Sequence, residues 1–256
     1  MIKLNREDFL DKDFSIMASP VPASRNISDA GLRRLAAYHK VLQEMLLAGT
    51  STVSSSGIAR VLKLEPSQVR KDIEATGIAG KPKVGYPLAI LIRWIEDFLG
   101  WNNTKQAVLA GAGSLGSALL GYQKFRQLGM DIVAVFDSDP QKAGRTIHGK
   151  QVFFPDKLPS FALGAHIHLG VITTPAPAAQ DTADLMVAGG IRAIWNFAPV
   201  HLRVPEFLVV RNEDLYDSIA SLTFKLEKRM MAERKAAAEV CAPAESAVVL
   251  LDACTW

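Results

Sequence analysis

The stretch Val108–Phe125, VLAGAGSLGSALLGYQKF, limits what this chain can fold into more than any other part of it. An apolar run, QAVLAGAG, reads as a strand that feeds three glycines, Gly111, Gly113 and Gly116, and SLGSALLGYQKFRQLG then reads as a helix. Strand, G-x-G-x-x-G and helix in that order have a mechanical meaning. The first glycine makes the tight turn, the second lets the backbone approach a pyrophosphate, and the third lets helix and strand close together. The N–H groups at the helix start have no partners within the helix and face an anion. Asp137 stands 21 residues after Gly116, at the end of the next apolar run, MDIVAVFDSDP. A carboxylate there accepts from a ribose 2′-hydroxyl and repels a 2′-phosphate, which favours NAD(H) over NADP(H). The candidate cofactor-binding set is therefore Gly111, Ala112, Gly113, Ser114, Leu115, Gly116 and Asp137.

Beyond Asp137, AHIHLGVITTPAP, AQDTADLMVAGG and IRAIWNFAPV continue the alternation of strand and helix. Short apolar strands alternating with helices give an α/β fold with a Rossmann-like, doubly wound parallel sheet. His166 and His168 alternate along one predicted strand and would share a face. None of the five histidines (His39, His148, His166, His168, His201) sits in a base-and-orienter pattern, and no lysine occupies a strand-end motif. The chain reads as one that holds a redox cofactor without a machine to use it, so no catalytic residue is assigned. A small NAD-dependent oxidoreductase is the competing reading, and a protein-interaction module on a nucleotide fold is a third. The two cysteines, Cys241 and Cys254, form no CxxC and no Cys/His metal spacing, which points to a reducing compartment and no metal. No run of 18 apolar residues could span a membrane, and the mixed-charge start MIKLNREDFLDKDF is no secretory signal, so the expected location is cytoplasmic.

The front of the chain has another texture. SDAGLRRLAAYHKVLQEMLLAG reads as a helix capped by Ser28 and stopped by Gly49, with Leu32, Leu35, Ala36, Val41, Leu42, Met45 and Leu46 on one stripe. SSSGIARVLKL and EPSQVRKDIEATG give two shorter helices, and the loop IAGKPKVGYPL suits a hairpin. This order is that of a winged helix-turn-helix. From Arg25 to Tyr86 there are ten basic and five acidic residues, a local +5 in a chain whose formal total is only +3. Positive charge is thus concentrated where a nucleic acid would lie. On the third helix Ser67, Gln68, Arg70 and Lys71 are candidate contacts, since Arg pairs with guanine and Gln with adenine. Lys81 and Lys83 on the loop suit phosphate or the minor groove. Ser54 and Ser55, at the second helix, complete the DNA-facing set.

These residues together resemble one family, the bacterial redox-sensing transcriptional repressor Rex. TVSSSGIARVLKLEPSQVRKDI resembles its helix-turn-helix, GKPKVGY its wing, GAGSLGSALLGY its NAD loop, and ITTPAPAAQDTADLMVAGGIRAIWNFAPVHLRVP the rest of its Rossmann domain. The match runs unbroken from about Ile27 to Met231. The resemblance implies a homodimer that binds double-stranded DNA at a palindromic operator when NADH is scarce and releases it when NADH rises. It places Thr174, Pro175, Asn196, Phe197, Ala198 and Pro199 near the nicotinamide. It further implies a C-terminal helix swapped onto the partner subunit, with Lys40, Tyr122 and Asp214 in the switch. The expected division is a leader (1–24), a winged-helix domain (25–86), a Rossmann NAD(H)-binding domain (87–212), the swapped helix (213–238) and a tail (239–256). The chain departs from the family pattern at Ala75 and Thr76, where an aromatic pair is expected, and at Lys83 and Lys40, where arginine is usual. Lysine keeps the charge but not the planar fork.

Overall fold

A computed structural model of the chain describes residues 27–82 and 84–240. The expected leader, Arg25, the wing residue Lys83, both cysteines and nearly all of the expected tail lie outside the described residues. The chain divides into two compact units. The first runs to Val108 and takes in Ser117–Val135 and Arg145–Val152. The second holds Leu109–Gly116, Phe136–Gly144 and the described chain from Phe153 onward.

In the first unit, α1 (Asp29–Leu47) starts where the Ser28 hydroxyl accepts from the backbone N–H of Gly31 at 3.2 Å. It buries Leu35, Tyr38 and Leu42, spaced three and four apart, with His39 and Val41 beside them. Leu32 and Leu46, expected on the buried stripe, lie instead at its exposed edges. After β1 (Thr52–Val53) comes α2 (Ser55–Leu62), whose N-terminus is capped by the Ser54 hydroxyl accepting from Gly57 N–H at 3.0 Å. In α3 (Pro66–Glu74) Pro66 takes the first turn, where its missing N–H costs nothing. The loop then doubles back, with Lys81 and Gly85 exchanging backbone hydrogen bonds of 2.9 Å each way. It enters β2 (Tyr86–Pro87), antiparallel to β1, and α4 (Leu88–Leu99) follows. Leu35, Leu42, Ile58, Val69, Ile73 and Leu91 belong to the shared core. The expected helices and hairpin of a winged helix are all present.

A polar knot ties α1 to α3. Asp72, only 4% exposed, accepts from Arg34 Nε at 2.6 Å and Nη2 at 2.9 Å, from Tyr38 Oη at 2.7 Å and from Gln68 Nε2 at 2.9 Å. Burial alone would push its carboxyl up, but the donors of Arg34, Tyr38 and Gln68 outweigh that and hold it below the usual carboxylate range. The same bonds raise the guanidinium of Arg34, while burial and then Asp72 raise the Tyr38 hydroxyl.

The remaining elements are β3 (Lys105–Ala110), α5 (Ser114–Gly121), β4 (Met130–Phe136), β5 (Thr146–Ile147), β6 (Lys150–Phe153), α6 (Leu158–Gly164), β7 (Leu169–Ile172), α7 (Ala176–Ala188), β8 (Ala193–Asn196), β9 (Val209–Asn212) and α8 (Leu215–Val240). Seven strands form one sheet in the order β5-β6-β4-β3-β7-β8-β9. Strands β7, β8 and β9 are parallel, with Ile172, Asn196 and Asn212 in register, and β5 and β6 are an antiparallel hairpin. Two details differ from the sequence reading. The helix after the glycine loop stops at Gly121, and a 3-10 turn, Gln123–Leu128, takes over. Tyr122 leaves helical backbone with ψ 90°, and glycine is a weak helix former. His166 and His168 do not alternate on a strand: His166 has φ +51° just after α6, and β7 begins only at Leu169.

Replacing Asp72 with alanine leaves Arg34 and Tyr38 without their acceptor, so urea unfolding of the full chain should show a loss of about 3 kcal/mol. Because the folded Asp72 carboxyl lies below its unfolded value, its contribution is complete above the unfolded pKa of about 4. It drains away as pH falls from there through the folded value, and the difference between wild type and Asp72→Asn should shrink over that acid window.

Candidate functional site

The glycine loop is held by what its residues lack and by two side chains. Gly111 has φ +100°, and a Cβ there would stand 2.7 Å from the backbone carbon of Thr173. A Cβ on Gly116 would overlap the carbonyl oxygen of Gly111. Thr173 Oγ1 donates to the carbonyl oxygens of Gly111 at 2.7 Å and Ala110 at 3.1 Å, and Thr173 N–H donates to Ala110 O at 2.8 Å. Gly113 is the opposite case: a Cβ there would meet nothing within 4 Å. Two glycines therefore serve the fold, and the third leaves space beside the start of α5.

Asp137, at the end of β4, is buried and faces the same loop. Its Oδ2 accepts from Ala112 N–H at 2.7 Å and from Lys142 Nζ at 3.1 Å, and its Oδ1 accepts from Asp139 N–H at 2.9 Å. Burial opposes its charge, yet the N–H groups of Asp139 and Ala112, with Lys142, hold the carboxyl below the ordinary range. It is an ionised acceptor with lone pairs remaining for a hydroxyl. Next to Gly111, Thr174 Oγ1 is buried with no hydrogen-bond partner. A buried hydroxyl left unsatisfied is costly and asks for a ligand donor or acceptor. The space at Gly113, the unpartnered Thr174 hydroxyl, the N-terminus of α5 and the ionised Asp137 together fit a dinucleotide.

The other cofactor-set residues fall into different roles. Asn196 is fully buried and fully used: its Nδ2 donates to Ala198 O, Val200 O and Asn212 Oδ1, and its Oδ1 accepts from Ala198 N–H at 3.0 Å. It shapes the turn Asn196–Pro199, in which Ala198 is buried and Pro199 is exposed. Ser114, Leu115 and Pro175 are exposed around the loop, and the Phe197 ring lies tilted against Trp195, centroids 4.6 Å apart. Sequence reasoning missed Thr173 and Lys142. The doubled threonine in ITTPAP was the available sign of the first, and a lysine in the turn after the acids, DSDPQK, of the second.

On the first unit, Ser67, Arg70 and Lys71 are exposed on one side of α3, while Val69, Asp72 and Ile73 are buried on the other. Gln68 leans towards the Asp72 knot and gives it one amide hydrogen. Ser54 is exposed but caps α2, and Ser55 is half-buried. Lys81 opens the hairpin. Ala75 closes α3, and Thr76 is buried with its hydroxyl on Ile73 O at 2.6 Å. Of the residues expected in a switch, Lys40 and Tyr122 are exposed in the first unit. Asp214 is exposed in the second, where its Oδ1 accepts from Tyr216 N–H at 2.7 Å at the start of α8. Among histidines, His39 is buried against Glu96, Nε2 to Oε1 at 2.8 Å, and edge-on to Trp101. Among the described residues no cluster of His, Cys, Asp and Glu could hold a metal, and no helix is long and apolar enough to cross a membrane.

Residues 102–200 match a family described as "CoA binding domain", and residues 26–73 one described as "Putative DNA-binding protein N-terminus". A redox-sensing transcriptional repressor Rex of Treponema denticola is 44% identical over 79% of this chain and 94% of its own length. A Rex of Bacteroides fragilis is 39% identical over 79% and 92%. Among solved structures, RSP, a Rex-family repressor, in complex with β-NAD+ and operator DNA is 31% identical, with a TM-score of 0.75 over 82% of this chain and 97% of that one. RSP in complex with β-NADH is 30% identical, with a TM-score of 0.74 over 82% and 98%.

The geometry separates two glycine substitutions. Gly113→Ala should leave thermal stability within about 0.5 kcal/mol of wild type. Gly116→Ala, forced against the Gly111 carbonyl, should cost about 1–3 kcal/mol; equal melting curves for the two would contradict the packing described.

Proposed function

The chain belongs to the Rex family of redox-sensing transcriptional repressors, and from that we infer that it represses transcription by binding a palindromic operator as a homodimer and leaves it when NADH binds. The carrying observation is the pairing of two features in one chain. One is a helix, α3, with Ser67, Arg70 and Lys71 outward on a basic domain. The other is a glycine loop with open space at Gly113 and a buried, unpartnered hydroxyl at Thr174.

On this reading Arg70 and Gln68 reach base edges, and Ser54, Ser55, Ser67, Lys71, Lys81 and Lys83 hold the backbone or groove. Gly111–Gly116 and Asp137 hold the adenosine diphosphate part of NAD(H), and Thr174, Pro175 and Asn196–Pro199 face the nicotinamide. The division at 25–86, 87–212 and 213–238 is part of the same proposal. Along α8, Tyr216, Ile219, Leu222, Phe224 and Met231 are exposed within one chain. An apolar face of that size supports a helix that crosses to a second copy, with Lys40, Tyr122 and Asp214 carrying the signal. The residues do no chemistry on the nicotinamide, and the protein is no enzyme; it works beside the DNA, in the cytoplasm. Switching then requires only that the loop and its neighbours hold NADH more tightly in the dimer that cannot engage operator. A coupling of about 1–3 kcal/mol changes operator affinity roughly 5–150-fold.

Fluorescence anisotropy with a palindromic duplex should show release by NADH and far less by NAD+; unchanged binding at saturating NADH refutes the sensor. Arg70→Ala should weaken operator binding about tenfold or more while NADH binding persists. If both are lost together, Arg70 is a structural residue.

A further inference from the structure

The turn after β4 holds a cation that the roles above leave unassigned. Asp137 and Asp139 each accept from the backbone N–H two residues further on, Asp139 N–H at 2.9 Å and Gln141 N–H at 2.9 Å, two successive side-chain-closed turns. Lys142 N–H then donates to Asp139 O at 3.0 Å, which curls the chain back on itself. That curl sets Lys142 Nζ 3.1 Å from Asp137 Oδ2 and 3.7 Å from Asp139 Oδ2. The lysine side chain keeps 34% of its surface and the Asp137 side chain 9%, so the ammonium stands at the mouth of the spot where a ribose would meet the buried carboxylate.

We propose that Lys142 is a specificity-determining residue of the dinucleotide site, contacting the adenosine ribose beside Asp137 and setting how strongly a 2′-phosphate is refused. The inference rests on the NAD(H) reading above. A 2′-hydroxyl both donates and accepts. Asp137 takes its proton, and Lys142 offers an N–H to its oxygen, so the pair reads the hydroxyl in both senses. A 2′-phosphate instead brings roughly two negative charges towards two carboxylates. Lys142 offsets them, and among the described residues it is the cation that pairs with both Asp137 and Asp139. Lys142 thus strengthens NADH binding while moderating the refusal of NADPH.

The test is direct titration of NADH and NADPH, followed by nicotinamide fluorescence, on wild type, Lys142→Gln and Lys142→Arg in the full chain. Lys142→Gln should weaken NADH about threefold and NADPH more, so that the preference for NADH rises about three- to tenfold. Lys142→Arg keeps the charge and should hold the preference within about twofold of wild type. A residue that merely braces the turn would lower both affinities by the same factor, and an unchanged or reduced preference in Lys142→Gln overturns the proposal. If wild type binds neither dinucleotide, the NAD(H) reading fails and this inference fails with it. Wild-type NADH binding with an unaltered preference sinks the role of Lys142 alone.

Discussion

The contact between Gly116 and the carbonyl of Gly111 is the constraint that the nucleotide half of this protein is built around. Strand β3 and helix α5 can close to that distance only because no Cβ lies between them, and the Thr173 hydroxyl locks the closure by donating to Gly111 and Ala110. Once the loop is fixed, Ala112 N–H points at Asp137, and the carboxylate is drawn under the loop rather than left to solvent. The start of α5, the space at Gly113 and an ionised acceptor then converge without any further device. The site's polar groups are backbone donors, one carboxylate held ionised by its neighbours and one idle hydroxyl.

In the first unit the equivalent constraint is electrostatic. Ten basic residues over Arg25–Tyr86 suggest a surface of phosphate-seeking charge, but one of them, Arg34, is turned inward. It holds Asp72 together with Tyr38 and fixes α3 against α1, which is what presents Ser67, Arg70 and Lys71 on a rigid helix. A buried pair of this kind adds less to stability than its distances suggest, since desolvation offsets much of the attraction. Its contribution here is the orientation of α3 against α1.

What the sequence made legible is what short-range physics decides. The glycine spacing, the serine caps at Ser28 and Ser54 and the proline at the head of α3 all concern neighbours along the chain, and Asp137 is found by its fixed spacing from the glycines. What it hid depends on distant partners. The exposed edges at Leu32 and Leu46 follow from which side of α1 the other helices cover. The end of α5 at Gly121 coincides with the hairpin residue His148, whose Nε2 lies 3.3 Å from Ser117 Oγ. Strand β9 is four residues long and pairs in parallel with β8. Thr173 and Asn196 act through tertiary hydrogen bonds, whose partners their residue types do not identify.

If the loop and the basic domain are parts of one sensor, their ligands must be linked, and linkage is reciprocal. The most direct test is to titrate NADH into the protein alone and into the protein saturated with operator duplex, and to compare the two affinities. Bound operator should weaken NADH by the same factor by which saturating NADH weakens operator. Equal NADH affinity in the two titrations would contradict it.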